Sequence, residues 1–309
     1  MTGSGPSVDP AGATGYLAAE GFVAELRHEL GEPSAAFERL LLRPGAPVSA
    51  AWAQNEWLDP VWVRFSSIAE AARALRAMGR NWALYSFTQH RRAALIQAEL
   101  PHVACRPLEF PSMPPLAPLG SWVLTDTHTL LASAQCTSPF RHGEPEFVEN
   151  RQAPPSRAYL KLWEAFTRIG RHPRPGERCL DLGASPGGWT WAVQQLGAEV
   201  LAVDKAPLDP RVAELPRVRF LQSSAFAIDP LSLGPIDWLL CDVVCYPATL
   251  YRLVLRWLDS GLCSNLLCTI KFQGETDHAS GARFAAIEGS RLIHLHHNRH
   301  ELTWVRLAE

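Results

Sequence analysis

Along the second half of the chain, short apolar runs alternate with stretches whose apolar positions recur at helical spacing. Runs at 178–182, 199–203, 217–221, 238–242 and 264–272 predict strands, and 189–196, 248–259 and 282–288 predict helices between or after them. A parallel neighbour is reached only through a crossover, so this alternation implies a parallel sheet with helices on both faces. Two further strands, 291–297 and 301–307, are separated only by Asn298-Arg299-His300, a link short enough for an antiparallel hairpin. The expected fold class is α/β, a Rossmann-like sheet closed by a terminal antiparallel hairpin.

The first third is less regular. Helical spacing appears at 21–30, 68–78 and 90–99, and strands are expected at 62–65 and 82–87. This reads as a small α+β domain. Residues 1–13 are rich in Gly, Ser and Pro and read as a disordered start. Proline-bearing stretches at 107–118 and 145–155 punctuate the middle, since proline removes a backbone donor and fixes φ. The expected division is a disordered 1–13, an α+β domain over 14–118, a connecting strand pair and linker over 119–154, and the α/β domain over 155–309.

Composition narrows the setting. With 47% hydrophobic and 19% charged residues the chain suits a globular protein, and no apolar run is long enough for a membrane span. The N-terminus lacks the basic-then-apolar pattern of a secretory signal. Seven cysteines, an odd number without C-x-x-C spacing, read as free thiols in a cytoplasmic protein. No metal is expected: the run His294-Leu-His-His-Asn-Arg-His-Glu301 lacks H-E-x-x-H spacing. A net charge of −2 means that a nucleic-acid partner would need a local basic surface.

The most informative segment is Asp181-Leu-Gly-Ala-Ser-Pro-Gly-Gly-Trp189, a strand end running through a glycine-rich turn into a helix. Dinucleotide binding would want G-x-G-x-x-G, but Ser185 stands at the second glycine. A serine-hydrolase elbow would need the backbone N–H after the serine, and that residue is Pro186. S-adenosylmethionine (SAM) binding suits every position. Glycines let the backbone approach the ligand, Asp181 suits a cationic group, and Asp204 ends the next strand where it can accept from a ribose diol.

Charged residues recur at the predicted strand ends. Asp242 and Lys271 lie at carboxyl ends of strands, Glu301 opens an antiparallel strand at the same edge, and Lys161 lies in an amphipathic helix ahead of the loop. Three lysines stand against 26 arginines, so lysine at two of these positions argues for its own chemistry rather than for generic positive charge. A lysine can serve as a base where burial and a neighbouring cation lower its pKa; arginine cannot. Any one lysine is more often a solvated surface residue, but Lys271 ends an apolar strand.

These residues resemble the FtsJ/RrmJ-type ribose 2′-O-methyltransferases. The resemblance rests on Ser156-Arg-Ala-Tyr-Leu-Lys161, on the loop, and on the Asp, Lys and Glu that follow; within the family it is nearest to enzymes acting on a cytidine of large-subunit ribosomal RNA. Matching stretches such as Ser138-Pro-Phe140, Cys241-Asp-Val-Val244 and His297-Asn-Arg-His-Glu-Leu-Thr303 carry it over about residues 125–309. It implies a catalytic tetrad Lys161, Asp242, Lys271 and Glu301, with Lys271 as the base. It also implies SAM as cofactor, held by Ser156, Asp181, Gly183, Ala184, Ser185, Pro186, Gly187, Gly188, Trp189, Asp204, Ser224 and Asp242. Ser224 stands where the family usually carries an acidic residue. RNA, ribosomal RNA above all, is the implied partner, with no membrane. Such enzymes carry a ferredoxin-like and then a THUMP domain ahead of the catalytic half. The length before it leads us to expect the ferredoxin-like part and a strand pair, with THUMP largely missing. Two other readings are a catalytically idle SAM-fold RNA-binding or assembly module, and a SAM enzyme acting on a small molecule.

Overall fold

The computed structural model describes residues 6–308 and divides into two compact units. The first comprises the chain up to Leu108 with Pro114–Glu146; the second comprises Glu109–Met113 and everything from Phe147.

The first unit contains strands β1 (Ser7–Pro10), β2 (Ala13–Ala18), β3 (Ala35–Phe37), β4 (Leu40–Pro44), β5 (Ala53–Leu58), β6 (Val61–Arg64), β7 (Trp82–Leu84), β8 (Gly120–Leu124), β9 (Thr129–Ser133) and β10 (Gln135–Cys136). Its helices are α1 (Val23–Leu30), α2 (Ile68–Met78) and α3 (His90–Ala98). Two five-stranded sheets form, ordered β1-β6-β9-β8-β7 and β10-β5-β2-β4-β3. Period-two alternation explains the layering. Val63, Trp122, Leu124, Leu130 and Ala132 face a core shared with α2 and α3, whereas Val123 and Leu131 face Leu17, Leu40 and Trp57 of the other sheet.

Several expectations are corrected here. The strand pair near 120–136 does not merely connect: β8 and β9 pair with β7 and β6 inside the first sheet. Two full sheets therefore replace the single small α+β layer with an appended pair. Of the segment expected to be disordered, Ser7–Pro10 is an edge strand paired with Val61–Arg64, while residues 1–5 lie outside the described residues.

The second unit runs α4 (Tyr159–Ile169), β11 (Arg178–Leu182), α5 (Gly188–Gln195), β12 (Glu199–Asp204), α6 (Pro210–Ala213), β13 (Val218–Gln222), α7 (Pro230–Leu233), β14 (Ile236–Cys241), α8 (Pro247–Ser260), β15 (Cys263–Lys271), α9 (His278–Ala285), β16 (Ser290–Ile293) and β17 (Glu301–Arg306). The sheet order is β13-β12-β11-β14-β15-β17-β16, parallel from β13 to β15 and antiparallel at β17 and β16. The α/β sheet with its terminal hairpin is thus as the periodicity implied. Helices cover both faces of the central strands, so β14 and β15 are buried almost throughout and read as continuous apolar runs. Helix α8 buries Leu250, Leu253, Val254 and Trp257, one stripe at helical spacing. The helix expected at 282–288 instead starts at His278, because the Asp277 side chain caps it by accepting from the Ser280 N–H. The strand expected through residue 297 stops at Ile293, for a reason that the site supplies.

Strand order reverses between β12-β11 and β14-β15. Such a reversal opens a crevice beyond the carboxyl ends of β11 and β14, and the charged residues of interest sit there.

Candidate functional site

The loop after β11 is shaped by its glycines. Gly183 adopts φ +79, and a Cβ there would stand 2.8 Å from Val243 Cγ2 and 3.0 Å from the Val243 backbone. Neither strain nor clash is relieved by a side-chain rotation, so Gly183→Ala is expected to cost about 2–3 kcal/mol in denaturant unfolding. Gly187, at φ +118, lies as closely against Val212. These positions keep the loop a bare backbone cradle opening into α5.

Carboxylates flank the cradle. Asp204 accepts from the Ser185 N–H at 3.0 Å and the Ala206 N–H at 2.9 Å, which fixes the end of β12 beside the loop. Ser223 donates its N–H to the Asp204 carbonyl at 3.0 Å, bringing Ser224 to the neighbouring strand end. Asp181 is 1% exposed; its Oδ2 accepts from the Thr190 hydroxyl at 2.6 Å, and its Oδ1 is buried without a hydrogen-bond partner. Burial, helped by Asp242 and Asp204, pushes the Asp181 carboxyl up to about 7. A buried orphan acceptor beside a glycine cradle fits the amino or sulfonium cation of SAM. The residues that would hold SAM are the loop 183–188, Asp181 and Asp204.

Trp189 has a structural part. It is 3% exposed and its indole N–H donates to the Ala158 carbonyl at 2.9 Å, so its ring braces α5 against the start of α4. Ser156 lies beneath the loop, its Oγ close to Gly188. Pro186 is exposed and Ala184 buried.

The four charged residues converge. Lys161 Nζ lies 3.1 Å from Asp242 Oδ1 and 2.6 Å from Glu301 Oε1. Lys271 Nζ lies 3.2 Å from the same Asp242 Oδ1 and donates to the Asp242 carbonyl at 2.7 Å. The sheet register explains why: Lys271 and Glu301 are direct partners across β15 and β17, and Asp242 follows the last residue of β14, the next strand. Lys161 comes from α4, in which Tyr159 to Phe166 are all buried. Burial opposes its charge, but Asp242 and Glu301 outweigh burial and hold its pKa above the usual lysine value.

Three features were not read from the sequence. Glu164, one turn beyond Lys161, is fully buried and accepts from the His296 and His297 N–H groups. The loop after Asp242 leaves Val244 and Tyr246 in solvent, 74% and 66% exposed. Exposed Arg151 and Arg157 line a cavity of about 350 Å³ that also touches Ser156 and Tyr159. The VV and CY pairs after Asp242 carried a visible signal, since apolar residues past a strand end have no core to enter.

Residues 154–274 match the model of the FtsJ-like methyltransferase family. A ribosomal RNA large subunit methyltransferase M of Halorhodospira halophila is 36% identical over 180 residues, 53% of this chain and 51% of the relative. One from Alkalilimnicola ehrlichii is 38% identical over 186 residues, 56% of this chain and 51% of the relative. One from Xanthomonas oryzae pv. oryzae is 32% identical over 233 residues, 73% of this chain and 62% of the relative. The chain spans about half the length of the first two relatives and 62% of the third. The matched segment 154–274 carries the glycine cradle, Lys161, Asp242 and Lys271, and is similar in sequence to the FtsJ-like methyltransferases.

Proposed function

We propose that this chain is a SAM-dependent methyltransferase that modifies a ribose 2′-hydroxyl of RNA, with ribosomal RNA as the first substrate to test. The observation that carries the reading is the junction of Lys161, Asp242, Lys271 and Glu301 at the mouth of the glycine cradle, with one Asp242 oxygen within 3.2 Å of both amines. When bound, SAM supplies an electrophilic methyl carbon.

Roles divide by environment. Lys161 is held protonated by two carboxylates and so is excluded as a base. Lys271 touches one carboxylate oxygen and one carbonyl, and its side chain is 20% exposed, so an acceptor can reach it. In its neutral form Lys271 Nζ takes the proton of the 2′-hydroxyl. The O–H bond would break and an N–H bond form, leaving an electron pair on the 2′-oxygen for the methyl group that bound SAM would supply, its sulfur keeping the pair of the broken S–CH3 bond. Exposure lets the proton leave Nζ for water afterwards. Asp242 orients both amines, and Glu301 keeps Lys161 charged. The domain division follows the same reading, with 155–309 as the methyltransferase part.

An RNA acceptor is supported by the surroundings. Exposed Val244 and Tyr246 beside Asp242 offer an apolar face on which an unstacked base can lie, a contact worth ~1–3 kcal/mol per base. Arg151 and Arg157 put guanidinium groups next to Ser156, where both pair with Glu149 at 3.4 and 2.7 Å and a phosphate would compete with that carboxylate for them. The test is transfer of label from methyl-tritiated SAM to total RNA lacking the native modification. The reading expects acid-insoluble, ribonuclease-sensitive counts. Bound SAM by calorimetry with no such counts overturns the RNA acceptor in favour of a small molecule or a binding role.

A further inference from the structure

Resting on the tetrad reading, we infer that Glu164 is a positioning residue for Glu301: from α4 it clamps the turn at His296–His297, which delivers Glu301 to Lys161. The His-rich run that resists a metal reading thereby acquires a role.

Glu164 is 0% exposed, yet four donors surround it. Oε1 accepts from the His296 N–H at 2.8 Å and from Arg168 Nε at 2.9 Å; Oε2 accepts from the His297 N–H at 2.9 Å and lies 2.7 Å from His297 Nδ1. Burial alone would raise its pKa, but Arg168 and His297 reverse this and hold the carboxyl down at about 2. It is therefore a buried, ionised anchor, which is costly to leave unpaired and rigid when fully paired.

Its location matters more than its strength. Lys161 and Glu164 are three residues apart on one helix face. Lys161 grips Glu301 at 2.6 Å while Glu164 grips the backbone five residues earlier. Between these grips the chain is braced by its own residues. Asn298 Nδ2 donates to the Glu301 carbonyl at 3.3 Å and to Thr303 Oγ1 at 3.2 Å, and His294 Nε2 lies 3.0 Å from the Arg299 carbonyl. At the far side, Phe272 donates its N–H to the His300 carbonyl at 3.2 Å and His300 Nε2 lies 2.7 Å from Thr276 Oγ1, tying the turn to the segment that follows Lys271. A tight two-residue turn would join β16 to β17 directly. The chain instead leaves the sheet at Ile293 and takes a longer path past Glu164, which is why the predicted strand ends early.

A double-mutant cycle tests this, using Glu164→Gln, Glu301→Gln and the double variant, with kcat at saturating SAM and RNA and SAM affinity by calorimetry. Glu164→Gln is expected to lower kcat about 10- to 100-fold, the scale of a misplaced catalytic group, with SAM affinity changed less than about threefold. In the Glu301→Gln background the same change is expected to cost less than about threefold, because the residue through which it acts is already disabled. Losses that multiply, or an unchanged kcat in Glu164→Gln, overturn the inference and leave the tetrad reading standing. An unchanged kcat in Glu301→Gln overturns both. If Glu164→Gln does not fold, His297→Ala keeps the backbone contacts to Glu164; about a 3- to 10-fold loss, absent in the Glu301→Gln background, supports the clamp, and a loss that persists there overturns it.

Discussion

Lys271→Ala is expected to bind SAM as the wild type does and to transfer almost no methyl group. The side chain touches Asp242 and stands beside the glycine cradle without belonging to it, so its removal leaves Asp181, Asp204 and the loop intact. Loss of a positioned general base commonly costs about 10²–10⁴ in rate. Single-turnover rates together with calorimetric SAM titration check both halves. Lys271→Arg is equally inactive, because a guanidinium keeps the charge and cannot take a proton. Transfer within about threefold of wild type in either variant would remove Lys271 as the base.

The second large effect concerns Asp181. Its carboxyl, raised by burial to about 7, binds a proton more tightly in the folded chain than in the unfolded one, where the ordinary value is 3.8. Between those values the native state holds more protons, so stability falls as pH rises. The contribution is fully present below about pH 4 and lost as pH passes about 7, and the difference between the two values corresponds to roughly 4 kcal/mol. Urea unfolding of the SAM-free protein from pH 4 to pH 8 should show this slope, and Asp181→Asn should flatten it. The same variant should bind SAM about 10- to 100-fold more weakly, because a charge-assisted contact to the ligand's cation is lost. A slope shared by wild type and variant would assign the titration to other groups, and unchanged SAM affinity would remove Asp181 from the cofactor site.

The C-terminal sheet was legible because its physics is local. Strands buried on both faces must be apolar throughout, and the glycine cradle announces itself by residues that φ and close approach demand, as at Gly183. Lysine scarcity made Lys161 and Lys271 visible. The first unit was harder to read. Its strands β1 and β3 have only four and three residues, and β8 and β9 sit between two cores, so their apolar runs carried no sign of which sheet they joined. Glu164 was hidden for another reason. A glutamate within the amphipathic pattern of α4 reads as a solvated face, and only the fold brings His296 and His297 to it from far along the chain. The bond from the Trp189 indole N–H to the Ala158 carbonyl was hidden likewise, since the two residues lie far apart in sequence.

The central claim is that the methyl group goes to a ribose oxygen, and alkaline hydrolysis of the tritiated RNA product tests it most directly. Hydroxide cleaves RNA through the free 2′-oxygen, so a methylated ribose protects the phosphodiester on its 3′ side. The account predicts that the label elutes as alkali-resistant dinucleotides and, after complete enzymatic digestion, as a 2′-O-methylnucleoside. Label recovered wholly in mononucleotides would place the methyl on a base and contradict the account.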